Sequence, residues 1–253
     1  MANNWSREET IVAFNVYCKI PFQASSSRHP DVIKYANIIG RSPAALNMEI
    51  GNFGRLDPAL RERGITGLVH GRKLEEIVWN EFHGNWSELA FESECFIANM
   101  QNKQLEESLN IEVLEFPEGK DRKAMLKTRI KQSFFRSTIL ASYQYKCCIS
   151  GLSIPELLIA SHIIPWSQCK KERLNPKNGL CLNPIHDKAF DKGYLTITAD
   201  YKVQISQYLK DVEHDKAVVE FFIKLEGVSI NLPNRFLPSK ENLSYHHEKV
   251  FIQ

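Results

Sequence analysis

What this chain of 253 residues lacks narrows it first. It has almost no net charge, with 32 Lys and Arg against 30 Asp and Glu leaving +2. Any affinity for a polyanion must therefore come from local clusters rather than from a global field. No two of its six cysteines, Cys18, Cys95, Cys147, Cys148, Cys169 and Cys181, stand in Cys-x-x-Cys spacing. A tetrahedral zinc knuckle is built from such pairs, so no structural zinc is expected. An even count fits disulfide pairing in secreted proteins, but nothing here implies secretion, and the cysteines read mostly as buried thiols. No apolar run approaches the roughly 20 residues of a bilayer span. The first residues, Met1 to Glu9, carry neither a basic leader nor an apolar core. The expected compartment is the cytoplasm, with no membrane partner.

What is present is a globular composition, 43% hydrophobic and 25% charged. The length suffices for one large domain or two small ones, and the patterning favours two. Ser6 with Glu9 fits a capping box, and Ile11, Val12, Phe14 and Val16 form an apolar stripe behind it. Pro30 starts a second helix with Val32, Ile33, Ala36 and Ile39 facing the core, stopped by Gly40. Ser42 and Pro43 cap a third, with Leu46, Ile50 and Phe53 at helical spacing. Three short helices around a turn at Gly40 suit either a helix-turn-helix DNA reader or a plain three-helix bundle. In the first case the third helix reads the groove, with Asn47 facing outward and Arg41 near phosphate. Glu49 argues against that reading.

Residues 57–96 keep a helical character through Leu74, Ile77, Val78 and Trp79, then Trp86, Leu89 and Phe91, aromatics that suit a core better than a base-binding face. Residues 111–116 alternate like a strand, and Pro117 to Gly119 mark a linker. The expected division is a helical DNA-binding or specificity domain over 1–118 and a second domain over 119–253.

The second domain opens on a helix with seven basic residues between Lys120 and Arg136 against one acid, Asp121. Ordinary solvated faces mix signs, so this imbalance points to phosphate binding by Lys127, Arg129, Gln132 and Arg136. A strand follows within Pro155 to Pro165, interrupted by His162. Then come a basic loop with Lys170 and Arg173, a second strand at Gly179 to Leu182, and a helix from Pro184 to Gly193 carrying His186, Asp187 and Asp191. The unit reads strand, loop, strand, helix. Other histidines have no evident role: His29, His70, His83 and His214 lack partners, and His246 and His247 sit in a charged terminal helix expected to face solvent.

In this order the chain resembles the HNH nuclease family, with a histidine on the first strand, an asparagine before the second and a histidine on the helix. Asn178 lies 16 residues after His162, and His186 lies 8 after Asn178. The flanks, Arg129 to Arg136, Tyr145 to Gly151, Arg173 to Leu180, His186 to Gly193 and Leu237 to His246, resemble the restriction-endonuclease branch. The resemblance implies an α+β chain: a mainly helical, helix-turn-helix-like domain followed by a ββα-metal nuclease domain.

It implies hydrolysis of double-stranded DNA by a restriction-type enzyme, with dependence on modified cytosine as one form of that activity. A phosphodiester repels an anionic nucleophile, so such a site needs a base for water and a cation for the developing oxyanion. His162 would be the base. Asn178 would position it or help hold the metal, and His186 would be a metal ligand. Asp187 and Asp191 would complete the shell of Mg²⁺ or Mn²⁺, cations that prefer oxygen. Two strands need two cuts, so a homodimer is expected.

Two departures from the family pattern stand out. Ser161 occupies the place before the base where many members have an acid or histidine. The cysteine quartet of other members is missing, so Phe134, Phe135, Leu158, Ile164, Leu182, Phe190 and Ile197 must supply the nuclease core. Ser161 keeps open a second reading, a DNA-binding regulator with a degenerate nuclease domain. A third is a nuclease domain acting on RNA.

Overall fold

The computed structural model describes residues 4–64, 73–109 and 120–253. The expected strand at 111–116, the linker at 117–119 with the domain boundary beside it, and His70 lie outside these residues. By compactness the chain divides into Met1–Thr138 and Ile139–Gln253, a division that falls inside one long helix. Among the described residues no helix is long and apolar enough to cross a membrane.

The first unit is helical throughout its described part. Helix α1 (Arg7–Lys19) starts at the capping box anticipated from Ser6 and Glu9, each side chain bonded to the other's backbone N–H. Helices α2 (Pro30–Ile38) and α3 (Pro43–Leu56) follow, the latter capped by Ser42 through the Ala45 N–H. Then come α4 (Pro58–Glu62), α5 (Lys73–Phe82), α6 (Trp86–Met100) and α7 (Leu105–Ser108). Phe14 stacks on Phe53 at 4.7 Å and meets Trp79 and Trp86. Trp79 and Trp86 are thus core residues, as their spacing suggested.

Periodicity misplaced one position. Ile33 was expected inside, yet it is 39% exposed, while Val32 and Ala36 are buried. Two histidines expected to lack partners have them. His29 caps α2, its Nδ1 accepting from the Asp31 N–H at 3.2 Å, and His83 stacks on Trp79 at 4.6 Å.

Helix α8 (Lys120–Ser142) is the basic helix. Its buried side includes Leu126, Ile130, Phe134 and Phe135. Phe134 stacks against Trp86, so it serves the helical unit rather than the nuclease core for which it was expected.

The second unit holds two small antiparallel sheets. Strand β1 (Ile159–His162) pairs with β2 (Gly179–Leu182), Ile159 opposite Leu182 and His162 opposite Gly179. Helix α9 (Pro184–Asp191) follows β2 directly, capped by Asn183. Strands β3 (Leu195–Ile197) and β4 (Val203–Ile205), not anticipated from the sequence, form the second hairpin. Helices α10 (Gln207–Lys210), α11 (Lys216–Phe221) and α12 (Lys240–Lys249) complete the unit. The first strand is shorter than its apolar run because Pro155–Leu157 is a 3-10 turn. Ile163, fully buried, takes the core place assigned to Ile164, which is only half-buried. Leu158, Leu182, Phe190 and Ile197 are buried as expected.

The C-terminal segment closes over the end of α9. Gly193 has φ +75, and a Cβ there would meet the Val250 carbonyl at 2.1 Å. The Ile252 N–H donates to the Gly193 carbonyl at 2.9 Å. His246 was expected in solvent but is 1% exposed, because α12 turns that face toward α9 and β3. It stacks on Phe190 at 3.7 Å, donates from Nε2 to the Phe190 carbonyl at 3.1 Å, and accepts at Nδ1 from the Thr196 hydroxyl at 2.8 Å.

Burial drives the His246 imidazole down to about 4. The unfolded chain, with a histidine near 6.5, then binds more protons than the folded one between those values. This contribution is fully present above pH ~6.5 and is lost as pH falls toward 4, a change of about 3 kcal/mol. Urea denaturation across that interval should show the loss, and His246→Gln should flatten the slope.

Candidate active site

The hairpin β1–β2 is joined by a loop of 16 residues, Ile163 to Asn178, long enough to be loose without internal ties. Asn178 supplies them. It is fully buried. Its Oδ1 accepts from the Ile164 N–H at 2.8 Å and from Asn242 Nδ2 at 3.1 Å. Its Nδ2 donates to the carbonyls of Ile164 and Glu172, both at 3.1 Å. A carboxamide has two acceptor sites and two N–H groups, and all four are in use. The Asn178 carbonyl also accepts from the Ile163 N–H at 2.9 Å.

His162 ends β1, beside this clamp. Its Nε2 lies 2.9 Å from the Arg173 carbonyl, an acceptor only, so Nε2 carries the proton and Nδ1 the lone pair. Arg173 is held in turn: its Nε donates to the Trp166 carbonyl at 2.7 Å, and its guanidinium lies 5.0 Å from the Trp166 ring centre. The Trp166 ring meets the His162 imidazole edge-on at 5.5 Å. Burial lowers the His162 pKa, while the Arg173 carbonyl and the charge of Asp191 oppose the shift. The ring is therefore biased to the neutral, proton-accepting form.

Helix α9 carries three of the expected site residues, and its geometry separates them. Asp187 and Asp191 are four apart and share a face. Burial raises both carboxyl pKa values, and the charge of Asp191 raises Asp187 further. Lys188 opposes the rise at both, and His162 opposes it at Asp191. The Ser161 hydroxyl, itself buried, favours ionised Asp187, though it makes no hydrogen bond of ordinary geometry among the described residues. A half-buried and an exposed carboxylate on one face, beside a buried hydroxyl, are a donor set suited to a hard divalent cation, which accepts few protein oxygens and keeps its waters. No group of three or more His, Cys, Asp or Glu side chains among the described residues forms a metal cage.

His186 points elsewhere. It is 3% exposed, its Nε2 lies 3.2 Å from the Phe221 carbonyl, and its Nδ1 lies 3.2 Å from Asn183 Nδ2 and 3.8 Å from Cys147 Sγ. An adjacent residue on a helix is turned by about 100°. The face that presents Asp187 and Asp191 therefore turns His186 toward Cys147. Cys147, Ser150 and Asn183 were not singled out from the sequence. Neither was Asn242, which reaches Asn178 from α12, 64 residues away, with no local signal.

The expected DNA-contacting residues fall into two groups. In the helical unit Arg41 is engaged internally, its Nε and Nη2 donating to the two Glu9 carboxylate oxygens at 3.0 and 2.7 Å and Nη2 also to the Asn4 carbonyl. Asn47 accepts from the Ser25 hydroxyl at 2.6 Å. Both serve the packing of the short helices. On α8 Lys127 lies over the Phe91 ring at 4.5 Å, while Arg129, Gln132 and Arg136 are exposed at helical spacing along one face. Lys170 is exposed in the loop between β1 and β2.

Replacing Asn178 by Ala leaves the Ile164 and Glu172 carbonyls and the Ile164 N–H without their partner. The expected loss is about 3 kcal/mol, from one to two buried groups left unsatisfied. Chemical denaturation in chelator measures it. A side chain that served only to bind a cation would leave metal-free stability unchanged.

Residues 147–198 match a family model described as HNH endonuclease. The span runs from Cys147 through β1, β2 and α9 to the end of β3. No curated protein matches the chain.

Proposed function

We propose, from a chain whose residues 147–198 match the HNH endonuclease family, that it is a metal-dependent endonuclease of restriction type that hydrolyses double-stranded DNA. The observation that carries the reading is the tautomer of His162. A ring held at Nε2 by the Arg173 carbonyl, and kept neutral by burial, directs Nδ1 as the base. Asp187 and Asp191 would hold Mg²⁺ or Mn²⁺, with Ser161 at the edge of the shell. The bound ion would neutralise charge building on the scissile phosphate.

The roles of the other residues follow from their partners. Asn178 keeps the loop closed, so that the Arg173 carbonyl stays where His162 needs it. His186 seats the first turn of α9 rather than binding the catalytic ion. His162 takes a proton from water, and Arg173, stacked on Trp166, presents its Nη groups to a phosphate. Arg129, Gln132 and Arg136 would make phosphate contacts of their own along α8. Each site cuts one strand, so a double-strand break calls for two copies of the chain. Dependence on modified cytosine rests on the flanking resemblance alone, and cleavage of modified against unmodified DNA tests it.

The second reading, a DNA-binding regulator, draws on Ser161, whose hydroxyl is a poorer ligand than the acid or histidine expected there. Incubation with plasmid and phage DNA, with and without Mg²⁺ or Mn²⁺, separates the two. Binding without nicking on every substrate would sink the nuclease proposal, and degradation of RNA in preference to duplex DNA would redirect it.

His162→Ala should reduce cleavage by roughly 10²-fold or more, as loss of a positioned base does, with DNA affinity in a gel-shift assay retained. Full activity in that variant would mean the base lies elsewhere. Arg129→Gln combined with Arg136→Gln should weaken binding and reduce the slope of log affinity against log salt by roughly 1–2, since each phosphate contact releases a counterion. An unchanged slope would remove α8 from the interface.

A further inference from the structure

A carbonyl holds a ring nitrogen only as firmly as it is held itself. The Arg173 carbonyl, 2.9 Å from His162 Nε2, lies in a turn of the long loop between β1 and β2. Its ties begin locally. The Asn175 N–H donates to the Glu172 carbonyl at 3.3 Å, and the Asn178 N–H to the Asn175 carbonyl at 2.9 Å. Asn175 Nδ2 donates to Glu172 Oε2 at 2.8 Å, and Asn175 Oδ1 accepts from the Lys177 N–H at 3.1 Å. Residues 172–178 are thereby tied into one piece. Bonds of this kind fix the shape of a loop, but its place against the rest of the fold needs partners outside it.

Helix α12 supplies such partners. Asn242, 8% exposed, donates from Nδ2 to Glu172 Oε2 and to Asn178 Oδ1, both at 3.1 Å. A carboxamide has two N–H groups, and here both go to the loop. The one that meets a carboxylate is of the stronger, charge-assisted kind. At the cap of the same helix the Ser239 N–H donates to the Lys177 carbonyl at 2.9 Å. His246 lies one turn beyond Asn242 on the same face, where it bonds the Phe190 carbonyl of α9 and the Thr196 hydroxyl of β3. One face of α12 therefore joins the loop that carries the Arg173 carbonyl to the helix that carries Asp187 and Asp191.

We infer that Asn242 and Glu172 are positioning residues for His162, acting through the Arg173 carbonyl. The inference rests on the proposed role of His162 as the base, and neither residue need touch the substrate or the ion. Their bond sets the loop against α12, the loop sets the Arg173 carbonyl, and that carbonyl keeps the ring proton on Nε2 and the lone pair on Nδ1. Because His246 anchors the same helix to α9, the reach from base to carboxylates is governed by four residues of α12, about 6 Å of rise.

The test reads the tautomer by ¹⁵N NMR of the histidine rings of the full chain, in chelator and without DNA. About pH 8 suits it, above the ordinary histidine value of ~6.5. His162→Ala identifies the resonances, and the unaltered chain should show a single Nε2–H tautomer. Asn242→Asp removes both donors and sets a carboxylate against Glu172. The two ring ¹⁵N shifts, far apart in a fixed tautomer, should then converge. Adding Glu172→Gln returns an amide donor to the pair from the other side and should separate them again. Asn242→Leu, which removes the donors without adding charge, serves where Asn242→Asp costs the fold. In cleavage, kcat should fall roughly tenfold in the Asn242 variants with KM unchanged, well inside the ~10²-fold that about 1 Å of misplacement costs. A mixed tautomer in the unaltered chain, a fixed one in both Asn242 variants, or no recovery on adding Glu172→Gln would each overturn the inference. No cleavage by the unaltered chain would overturn the nuclease reading, while the tautomer still decides whether Asn242 and Glu172 hold the ring.

Discussion

The second unit depends on one buried carboxamide. Without Asn178 the loop between β1 and β2 is 16 residues of polar chain with a lysine-rich middle, and such a loop has many conformations to lose. The Asn178 side chain spans that loop at both ends, binding Ile164 next to β1 and Glu172 at its middle. The consequence reaches the chemistry through the backbone. Arg173 follows Glu172, and its carbonyl fixes the His162 tautomer. A clamp on residue 172 is thus a clamp on the His162 proton, and so on the base that the proposed function assigns. Asn242 adds a second tie from α12, bonding both Asn178 and Glu172, so the C-terminal helix belongs to the same network.

Helix α9 shows how a short element serves two purposes. With eight residues it makes barely two turns. Asn183 caps it through the His186 N–H at 2.9 Å, and the C-terminal segment seals its other end at Gly193. Fixed at both ends, it presents carboxylates on one face and an imidazole on the next. Burial raises both carboxyl pKa values and the charge of Asp191 raises that of Asp187 further, while the imidazole is satisfied by a carbonyl and an amide. Neutral polar groups that find hydrogen bonds tolerate burial, whereas paired anions do not without a counter-charge. The two faces of α9 thus differ: His186 is buried and hydrogen-bonded, while Asp187 is half-buried and Asp191 exposed.

Much of this was legible in the sequence and some was not. The strand-loop-strand-helix order, the basic α8 and the capped α1 and α3 could be read because each rests on local spacing. What escaped depended on partners distant in sequence. The partners of the Asn178 carboxamide, Ile164, Glu172 and Asn242, have no local signal, the last lying 64 residues away. His186 matched a motif position, but its role is set by the rotation of α9 relative to Cys147. His246 sits in a helix of charged residues, yet packing on Phe190 buries it. Arg41 looked available for phosphate because Glu9, 32 residues before it, gave no local sign of pairing.

The charge distribution bears on how such a chain would meet DNA. A net charge of +2 gives little long-range attraction, so encounter would rest on short-range fields. In the helical unit many cations are consumed: Arg7 pairs with Glu81, Lys19 with Glu94, Arg41 with Glu9, and Arg55 with Glu76. Lys19 and Glu94 are largely buried as a pair, which fixes α1 to α6 and leaves neither for a ligand. Further exposed positive groups lie along α8 and in the loop bearing Lys170 and Lys171. A polyanion bound by either stretch would lose affinity steeply with salt, because each contact is solvated and made at the expense of counterions. Specificity would then have to come from groups other than the phosphates. In the helical unit Arg41 pairs with Glu9, and Trp79 and Trp86 are packed in the core, so these side chains are not turned toward bases.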